Sequence, residues 1–545
     1  MNVVQAEEKT DLTSWLRRIE QLRHAPEWPA DELPIEMKQT HISVLLLGRN
    51  RVVKLKKPVD FGFLDYTTLK KRQQACEDEI RLNRRLCPDV YIGLGGVIEI
   101  DGQIRFSGRT GKIVDYCVWM KRLPDDRMLN QLVARGEATE AMMDRIAAKL
   151  SEFHRTNLRG AEVARWGSLA EIRHNWEENF AQTAPFIGCT ISASSCESIR
   201  AWVNGWLEKN ADLFDRRARE GRIVDGHGDV RCESICVLED SVCIYDCIEF
   251  NDRFRCDDIA SEAAFLAMDL DARGRPDLGY FFTESYQQRV GDKDFFALLP
   301  FYRCYRAFVR GKVLSFRLNE PEFSTEEQRA AEQQAASYFE LARRYAAPLR
   351  RPAVIAVTGL SGTGKTSVAR AIAGELGGRV VSADAVRQSL FGAAKQPAGY
   401  GEGVYAAESN RLTYQKMIAE ARGLLAEGGG VVLDATFRRA EDRLAARELA
   451  QAMGAEWRLI ECRLAPELVR TRLAARAARK EGLSDATWET YLRQQEARAP
   501  LGSDADGDCL GLDTSASLVI SSRTAADWLR RLEAITRDHE TERMK

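Results

Sequence analysis

A glycine-rich stretch at residues 353–366 carries the clearest chemistry in this sequence. Gly359, Gly364, Lys365 and Thr366 fill the pattern G-x-x-x-x-G-K-[ST] between an apolar, β-branched run and an amphipathic helical stretch. Such glycines let backbone N–H groups surround phosphates, while the lysine reaches the β- and γ-phosphates and the hydroxyl serves Mg²⁺. The pattern predicts a site for ATP and Mg²⁺. The residues expected to contact the nucleotide are Gly359, Ser361, Gly362, Thr363, Gly364, Lys365, Thr366 and Ser367.

Charged residues follow two further predicted strands. Asp384 and Arg387 come after the strand at 379–382, and Asp434 ends the apolar run at 431–433. Open α/β sheets bind ligands beyond the carboxyl ends of their strands, so these side chains are expected beside the phosphates. Asp384 could accept the proton of an attacking hydroxyl, Arg387 could contact an anionic substrate or the leaving phosphate, and Asp434 could hold Mg²⁺. The alternative for Asp384 is a helix N-cap beside a solvated arginine.

A second set of charged residues lies in the first half of the sequence. Asp229, in His-Gly-Asp, and Asp246 lie on predicted loops beside short strands. Two carboxylates so placed suit phosphoryl transfer, because one can orient a hydroxyl while the other binds Mg²⁺. Lys54 and Lys56 share a face of a predicted strand, and Glu79 lies on the helix that follows. A strand lysine paired with a helix glutamate positions the α- and β-phosphates in kinases.

The elements that must position this second set form a small, mostly antiparallel sheet carrying one helix. Residues 1–30 are predicted to be helical and amphipathic, and strands are predicted at 41–47 and 51–57, followed by a helix at 67–86. The sequence from 130 to 220 has helical periodicity nearly throughout. Further short strands are expected at 97–100, 103–107, 117–120, 235–238 and 242–245.

The second half alternates strands with helices, which predicts a parallel sheet with crossover helices. A capping box, Ser324-x-x-Glu327, begins the last helix before the proline-containing stretch 347–352. We therefore expect two domains, an α+β bilobal domain over 1–345 and an α/β P-loop domain over 346–545. The strands of the parallel sheet are predicted at 354–357, 379–382, 431–433 and 457–462.

Composition narrows the classes of protein. The 545 residues are 45% apolar with a net charge of −2, which gives no general attraction to nucleic acid or anionic membrane. No apolar run approaches the ~18 residues that span a bilayer, and the polar start is not typical of a signal peptide. Thirteen cysteines, an odd number, indicate reduced thiols. We expect a cytoplasmic protein without a membrane partner.

The C-terminal motifs resemble a known family. GLSGTGKT, the Asp-x-x-Arg pair, DATF and an arginine-rich segment are similar, over roughly residues 352–500, to the small P-loop kinases of the polynucleotide kinase, zeta-toxin and chloramphenicol phosphotransferase group. The resemblance implies that Asp384 is the general base and that Arg387 contacts substrate or phosphate. It also implies that Arg472 and Arg476 are lid arginines, although a solvated helix face remains the alternative.

The N-terminal motifs resemble the aminoglycoside phosphotransferase family, a branch of the protein-kinase-like fold, over roughly residues 35–320. The resemblance implies that Lys54 is the phosphate lysine with Glu79 as its partner and Lys56 as its substitute, Asp229 the catalytic base, and Asp246 a metal ligand. The family expects asparagine five residues after the catalytic aspartate, whereas this chain has Ser234 as the candidate second metal ligand. A kinase-shaped domain that binds ligand weakly or not at all is the alternative.

These observations predict an ATP- and Mg²⁺-dependent kinase that acts on a hydroxyl of a small-molecule or nucleotide-like acceptor. One alternative is an ATP-binding switch or scaffold with a degenerate N-terminal kinase domain. Another is a nucleic-acid end kinase, which would need a basic groove with interleaved aromatic residues. Acidic residues interrupt the basic stretches here, so nucleic acid is not favoured as a partner. The acceptor and the oligomeric state are not specified by the sequence.

Overall fold

We describe a computed structural model of the chain for residues 11–62, 64–106, 111–157, 159–320, 323–349, 351–392, 406–479, 486–501 and 508–543. The chain divides into two compact units, each built from several segments. The first unit comprises Met1–Ala138, Ala148–Ile172 and Asp212–Glu262, and the second comprises Thr139–Ala147, Arg173–Ala211 and Ala263–Lys545. The predicted domain boundary between residues 345 and 346 stays a prediction.

The first unit begins with a six-stranded antiparallel sheet in the order β1-β2-β3-β6-β4-β5. Side chains along β3 alternate between the two faces of the sheet. Val53 and Leu55 pack with the first helix, and Val52 packs with the second. Lys54 and Lys56 therefore share the face that carries the second helix. The elements are α1 Leu12–Gln21, β1 Glu36–Gln39, β2 Ser43–Leu47, β3 Arg51–Lys56, α2 Leu69–Asn83, β4 Tyr91–Ile100, β5 Gln103–Phe106 and β6 Lys112–Lys121.

Helices and two small antiparallel pairs of strands follow. The pair β7–β10 flanks the loop with the His-Gly-Asp sequence, and the pair β8–β9 precedes Asp246. The elements are α3 Leu129–Ala134, α4 Glu140–Thr156, α5 Ala161–Ala164, α6 Leu169–Thr183, α7 Ala193–Lys209, α8 Ala211–Arg219, β7 Ile223–Asp225, β8 Ile235–Val237, β9 Val242–Ile244, α9 Asp252–Arg255, β10 Cys256–Asp258 and α10 Ile259–Ala272.

The second unit contains long helices and a five-stranded parallel sheet in the order β12-β13-β11-β14-β15. Every residue of β11 is buried, because Val354 and Ala356 pack on one face of the sheet and Ile355 and Val357 on the other. The elements are α11 Pro276–Val290, α12 Phe295–Phe316, α13 Thr325–Tyr345, β11 Ala353–Thr358, α14 Lys365–Leu376, β12 Arg379–Ser382, α15 Ala383–Phe391, α16 Ala407–Ala426, β13 Val431–Asp434, α17 Ala440–Ala452, β14 Glu456–Arg463, α18 Pro466–Arg479, α19 Trp488–Glu496, β15 Cys509–Asp513 and α20 Leu518–Arg543.

The predicted fold class is confirmed, with an antiparallel sheet in the first half and a parallel, P-loop-type sheet in the second. The capping box at Ser324 and Glu327 is also present. Of the predicted N-terminal helix, the described part is helical only at Leu12–Gln21, followed by two 3₁₀ turns. No helix among the described residues has the length and apolarity needed to cross a membrane.

The expectation that all thiols are reduced is wrong at one pair. Cys87 and Cys243 form a disulfide with Cα atoms 5.1 Å apart. The two cysteines are separated by 156 positions in the sequence, so only the fold brings them together. Cys87 follows α2 and Cys243 lies in β9, so the bridge joins the sheet region to the strand that precedes Asp246.

Candidate active sites

The glycines of the phosphate-binding pattern adopt backbone conformations that other residues rarely reach. Gly359, Gly362 and Gly364 have φ values of 147°, 81° and 88°. A Cβ atom on Gly359 would also come within 2.7 Å of the Cys462 carbonyl oxygen. The loop between β11 and α14 therefore needs glycine at these positions, and it opens onto the N-terminus of a helix, where anions are favoured.

The three groups predicted to handle phosphate and metal lie together at the start of α14. Lys365 Nζ donates to the Leu360 carbonyl at 2.9 Å, and Thr366 Oγ1 donates to Asp434 Oδ2 at 2.8 Å. Asp434 is brought there by the parallel pairing of Val357 with Asp434. Burial raises the pKa of Asp434, and it lowers the pKa of Lys365, while each opposes the shift of the other through its charge.

Residues from distant elements brace this loop. Ser361 N–H donates to Gln494 Oε1 at 2.9 Å, and Thr514 Oγ1 donates to the Thr363 carbonyl at 2.7 Å. Ser367 is half-buried in the first turn of α14. The contacts of Gln494 and Thr514 join segments separated by 133 and 151 positions, which is why no local sequence pattern pointed to them.

Asp384 and Arg387 form an ion pair in α15. Arg387 Nη1 donates to Asp384 Oδ1 at 2.6 Å, and its Nη2 donates to Asn410 Oδ1 at 3.2 Å. Asp384 lies in the first turn of the helix, whereas the N-cap residue is Ser382. Burial lowers the pKa of Lys365 and the charge of Asp384 opposes this shift, so the carboxylate and the lysine interact electrostatically.

The two predicted lid arginines lie on α18 and reach towards the phosphate-binding loop to different degrees. Arg472 Nη2 donates to the Thr514 carbonyl at 2.6 Å, and a Cβ atom on Gly364 would meet Arg472 Nη1 at 3.2 Å. Arg476 Nη2 donates to the Ala486 carbonyl at 2.9 Å, and its charge lowers the pKa of Lys365. Both guanidinium groups are therefore near the phosphate site, and their role in phosphoryl transfer stays a prediction.

The predicted lysine–glutamate pair of the first unit is confirmed as a contact. Lys54 Nζ on β3 lies 2.7 Å from Glu79 Oε1 on α2 and 2.7 Å from Asp246 Oδ1. Asp246 has a positive φ of 64°, and its N–H donates to the Tyr91 hydroxyl at 3.2 Å. The candidate metal ligand is thus held beside the candidate phosphate lysine.

Charge pairing outweighs burial at this cluster. The cation of Lys54 lowers the pKa of Asp246 to about 2. Burial opposes the charged form of Lys54 and Glu79, yet Asp246 and Glu79 hold the pKa of Lys54 well above its ordinary value, and Lys54 and Lys56 lower the pKa of Glu79. All four groups are therefore charged at neutral pH, and the carboxylate of Asp246 is available as an oxygen ligand.

Lys56 makes a second, more deeply buried set of contacts. Its Nζ lies 2.6 Å from Glu79 Oε2, and it also pairs with Glu249, which accepts a hydrogen bond from the Tyr66 hydroxyl at 2.7 Å. The Lys56 side chain is 0% exposed, whereas that of Lys54 is 11% exposed and contacts Asp246. These contacts favour Lys54 over Lys56 as the lysine that meets phosphate.

The His-Gly-Asp loop is held by a buried acid that the sequence did not indicate. Glu262 Oε1 accepts hydrogen bonds from the N–H groups of His227 and Gly228, each at 2.5 Å, and its Oε2 lies 2.6 Å from His154 Nε2. Burial lowers the pKa of His227. Its Nε2 faces the Tyr245 carbonyl at 3.0 Å, while its Nδ1 accepts from the Asp229 N–H at 3.3 Å, so the neutral Nε2–H tautomer fits.

The candidate base Asp229 and the candidate ligand Ser234 are both engaged within their own loop. Arg231 Nε and Nη2 donate to the two Asp229 carboxylate oxygens at 2.7 and 2.9 Å. Ser234 Oγ donates to the Asp229 and Arg231 carbonyls, both at 2.9 Å, and accepts the Arg231 N–H at 3.0 Å. Catalysis by Asp229 and metal binding by Ser234 stay predictions.

Several residues of both sites were not predicted from the sequence. All of them contact a predicted site residue or its loop, and all but Arg231 come from elements remote in the chain. They are Tyr91, Arg231, Glu249, Glu262, Asn410, Gln494 and Thr514. Arg231 could have been found from the sequence, because it lies two residues after the candidate base Asp229. No sequence pattern indicated the other residues.

A family model described as "AAA domain" matches residues 354–501, the segment from β11 to five residues beyond α19. Two solved structures resemble parts of the chain. The gluconokinase of Sinorhizobium meliloti is 21% identical with a TM-score of 0.27, covering 35% of this chain and 99% of its own. A choline/ethanolamine kinase family protein of Mesorhizobium loti is 9% identical with a TM-score of 0.37, covering 62% of this chain and 99% of its own.

Relatives match over most of the chain. The uncharacterized protein Rv2004c of Mycobacterium tuberculosis and the uncharacterized protein Mb2027c of Mycobacterium bovis are each 32% identical over 466 residues. The match covers 84% of this chain and 89% of each relative. The P-loop domain predicted for the second half of the chain is confirmed by the family model. The chain belongs to the family of these mycobacterial proteins and carries its AAA-type P-loop domain at residues 354–501.

Proposed function

We propose that the P-loop site is the active site of an ATP-dependent kinase that phosphorylates a hydroxyl group of a small-molecule or nucleotide-like acceptor. The observation that carries this proposal is the hydrogen bond from Thr366 to the buried Asp434 beside Lys365. An ATP-binding switch would need only these three residues, which serve the nucleotide and the metal ion. The ion pair of Asp384 and Arg387 on the neighbouring helix supplies acceptor-side chemistry as well.

The donors present fit Mg²⁺. Thr366 and Asp434 offer a hydroxyl and a carboxylate oxygen within hydrogen-bond distance of each other, and such hard oxygen ligands suit this ion. A bound Mg²⁺ would supply charge that offsets the negative charge of the phosphates. These two residues would hold it through their oxygen atoms.

The remaining steps belong to side chains of the chain itself. Lys365 neutralises charge on the phosphates, and the N–H groups of the glycine loop orient them. Asp384 accepts the proton of the acceptor hydroxyl at its carboxylate, while Arg387 holds that carboxylate in place and offers its charge to an anionic group. Arg472 and Arg476 stabilise the charge of the transferring phosphoryl group.

A second phosphotransferase site in the first unit is the companion proposal. The contacts of Lys54 with Glu79 and Asp246 support it, since this pairing is the arrangement that positions phosphates in kinases. Asp229 would serve as its base and Ser234 as a weak second metal ligand. The competing function is a scaffold, for which the ion pair between Asp229 and Arg231 is the supporting observation.

The proposal predicts that Lys365→Ala removes ATP binding at the P-loop site, because this cation contacts the phosphates directly. Calorimetric titration of ATP with Mg²⁺ into the full chain should lose one of its binding components. Lys416→Ala, which changes a half-exposed lysine on α16, is the matched control and should bind as wild type. Unchanged binding in Lys365→Ala would contradict the proposal.

The acceptor can be sought by screening ATP consumption of the full chain against metabolites, aminoglycosides, nucleosides and nucleotide sugars. Each active compound is then retested with Lys365→Ala and with Asp246→Ala. Loss of turnover in only one variant assigns the acceptor to one site. Nucleic-acid ends belong in the same panel, because their phosphorylation would support the end-kinase alternative.

A further inference from the structure

The helix that begins with the phosphate-binding lysine is contacted by residues from earlier parts of the second unit. Glu140, in the first turn of α4, lies 2.5 Å from Arg370 of α14. Arg303 of α12 donates to the Gly374 carbonyl at 2.9 Å, and a Cβ atom on Gly374 would come within 3.0 Å of the same guanidinium. Helix α14 is therefore held by side chains outside the segment that matches the P-loop family model.

Arg370 connects these contacts to the candidate metal site. It lies one helical turn after Thr366, on the same side of α14. Thr366 donates to Asp434 Oδ2 at 2.8 Å, so Arg370 extends from the side of α14 that meets this carboxylate, and the two opposite charges attract each other. An arginine that moved closer to Asp434 would compete with a cation for the same oxygens.

Arg370 also makes contacts with an aromatic ring and with carboxylates other than Asp434. Its guanidinium lies 5.0 Å from the centre of the Phe281 ring, a cation–π contact with α11. Burial alone would lower the pKa of Arg370, but the carboxylates of Glu140 and Glu284 raise it. Glu140 makes the direct ion pair, with its side chain 37% exposed.

We propose that Glu140 is a positioning residue for the P-loop site. By pairing with Arg370 it keeps that guanidinium away from Asp434, and so leaves Asp434 and Thr366 to hold Mg²⁺ with the nucleotide. The inference rests on the proposed function of this site and adds a residue that lies 230 positions from Arg370 in the sequence. Glu140 thereby sets how much Mg²⁺ the site requires.

The test measures ATP binding to the full chain as a function of Mg²⁺ concentration. The same titration of the Lys365→Ala chain gives the signal of the other site, which is subtracted. We expect Glu140→Gln to raise the Mg²⁺ concentration for half-maximal binding by roughly three- to tenfold, the effect of one displaced charge. ATP binding in EDTA should not weaken, because an additional free cation near the phosphates does not disfavour them. A merely structural change would weaken ATP binding both with Mg²⁺ and in EDTA.

A neighbouring acid on the same helix is the matched control. Asp144 lies one turn after Glu140, but it accepts from Ser285 Oγ at 2.6 Å and pairs with Arg289 at 2.9 Å, both on α11. Asp144→Asn should leave the Mg²⁺ requirement unchanged. The double variant Glu140→Gln/Arg370→Gln removes the competing cation and should return the requirement towards that of the wild type.

Three results would overturn the inference. Glu140→Gln could show the wild-type Mg²⁺ requirement, or Asp144→Asn could shift it equally. If Glu140→Gln does not fold, Arg370→Gln is the deciding variant. Because it removes the competing cation, it must not raise the Mg²⁺ requirement. A rise would contradict the competition between Arg370 and Mg²⁺ for Asp434. Unchanged ATP binding in Lys365→Ala is a distinct outcome, since it refutes the proposed function and the inference with it.

Discussion

In the proposed function, Asp384 is the general base that accepts the proton of the acceptor hydroxyl at the P-loop site. Arg387 donates to its Oδ1, and an amide oxygen in its place could still accept that hydrogen bond. We expect Asp384→Asn to bind ATP nearly as well as wild type while phosphoryl transfer falls by about 10²–10⁴-fold, the usual contribution of a general base. Steady-state kinetics with the acceptor found by screening, beside a calorimetric ATP titration, provide the measurement. Wild-type turnover would instead assign Asp384 to stabilisation of α15.

Ser234 stands where the phosphotransferase pattern that this sequence resembles has asparagine, and its hydroxyl closes the loop that carries Asp229. An asparagine side chain offers both a donor and an acceptor, so Ser234→Asn can retain part of this bonding while adding an amide oxygen for a second Mg²⁺. We expect tighter Mg²⁺-dependent ATP binding in that variant, whereas Asp246→Ala should abolish binding at this site.

Both variants are titrated in the full chain carrying Lys365→Ala, so that only the first-unit site contributes. If Ser234→Asn binds ATP more weakly than its parent, the serine hydroxyl already contributes to the site. The expectation that asparagine improves Mg²⁺ binding is then wrong. If neither the parent nor the variant binds, the first unit is a scaffold.

At the scale of elements, the sequence predicted best where a strand is buried on both faces. Strand β11 was found because all six of its residues are buried and apolar or small, apart from the terminal Thr358. Strand β15, Cys509–Asp513, was missed because most of its residues are exposed. Strand β1 was missed for the same reason, since its sequence is polar and its residues are largely exposed.

Packing between helices buries one acid whose unusual environment no sequence pattern indicated. Asp271 of α10 accepts a hydrogen bond from the Tyr345 hydroxyl of α13 and lies 3.4 Å from Arg303 Nη1. Burial raises its pKa to about 6, although Arg303 opposes the shift. Between its ordinary pKa and that value, the folded chain binds more protons here than the unfolded chain does, so folding loses stability as pH rises through this range.

We therefore expect the midpoint of thermal unfolding of wild type to fall, relative to that of Asp271→Asn, as pH rises from 4 to 7. The asparagine keeps an acceptor for Tyr345 but does not titrate. Differential scanning calorimetry at matched ionic strength measures both chains across this range. Parallel pH profiles would show that Asp271 keeps its ordinary pKa in the folded chain.

At the scale of the whole molecule, the motifs predicted the P-loop domain and several charged contacts of the two candidate sites. Residues such as Lys54 and Glu79 were paired correctly because a known arrangement links a strand lysine to a helix glutamate. Contacts such as Glu262 with the His227 N–H, or Glu140 with Arg370, join segments that no pattern connects. Such contacts depend on how helices pack, which hydrophobic periodicity alone does not determine.

The same packing gives a prediction about the boundary between residues 345 and 346. Tyr280 of α11 belongs to the apolar cluster beneath the parallel sheet, and its hydroxyl accepts the Val380 N–H at 2.9 Å. Arg344 pairs with Glu375 at 2.5 Å, and Arg303 donates to the Gly374 carbonyl. A fragment that begins at residue 351 would lose all of these contacts and expose part of the cluster.

We expect the 351–545 fragment to unfold about 10 °C below the corresponding transition of the full chain. Three hydrogen-bonding contacts of about 1 kcal/mol each correspond to roughly that shift in a domain of this size. Thermal scans with and without ATP and Mg²⁺ identify the P-loop transition in each sample, because only the folded site binds nucleotide and is raised by it. A fragment longer at its N-terminus, 263–545, restores Tyr280, Arg303 and Arg344 and should recover most of the difference. Equal midpoints for the short fragment and the full chain would show that the P-loop domain folds independently of these helices.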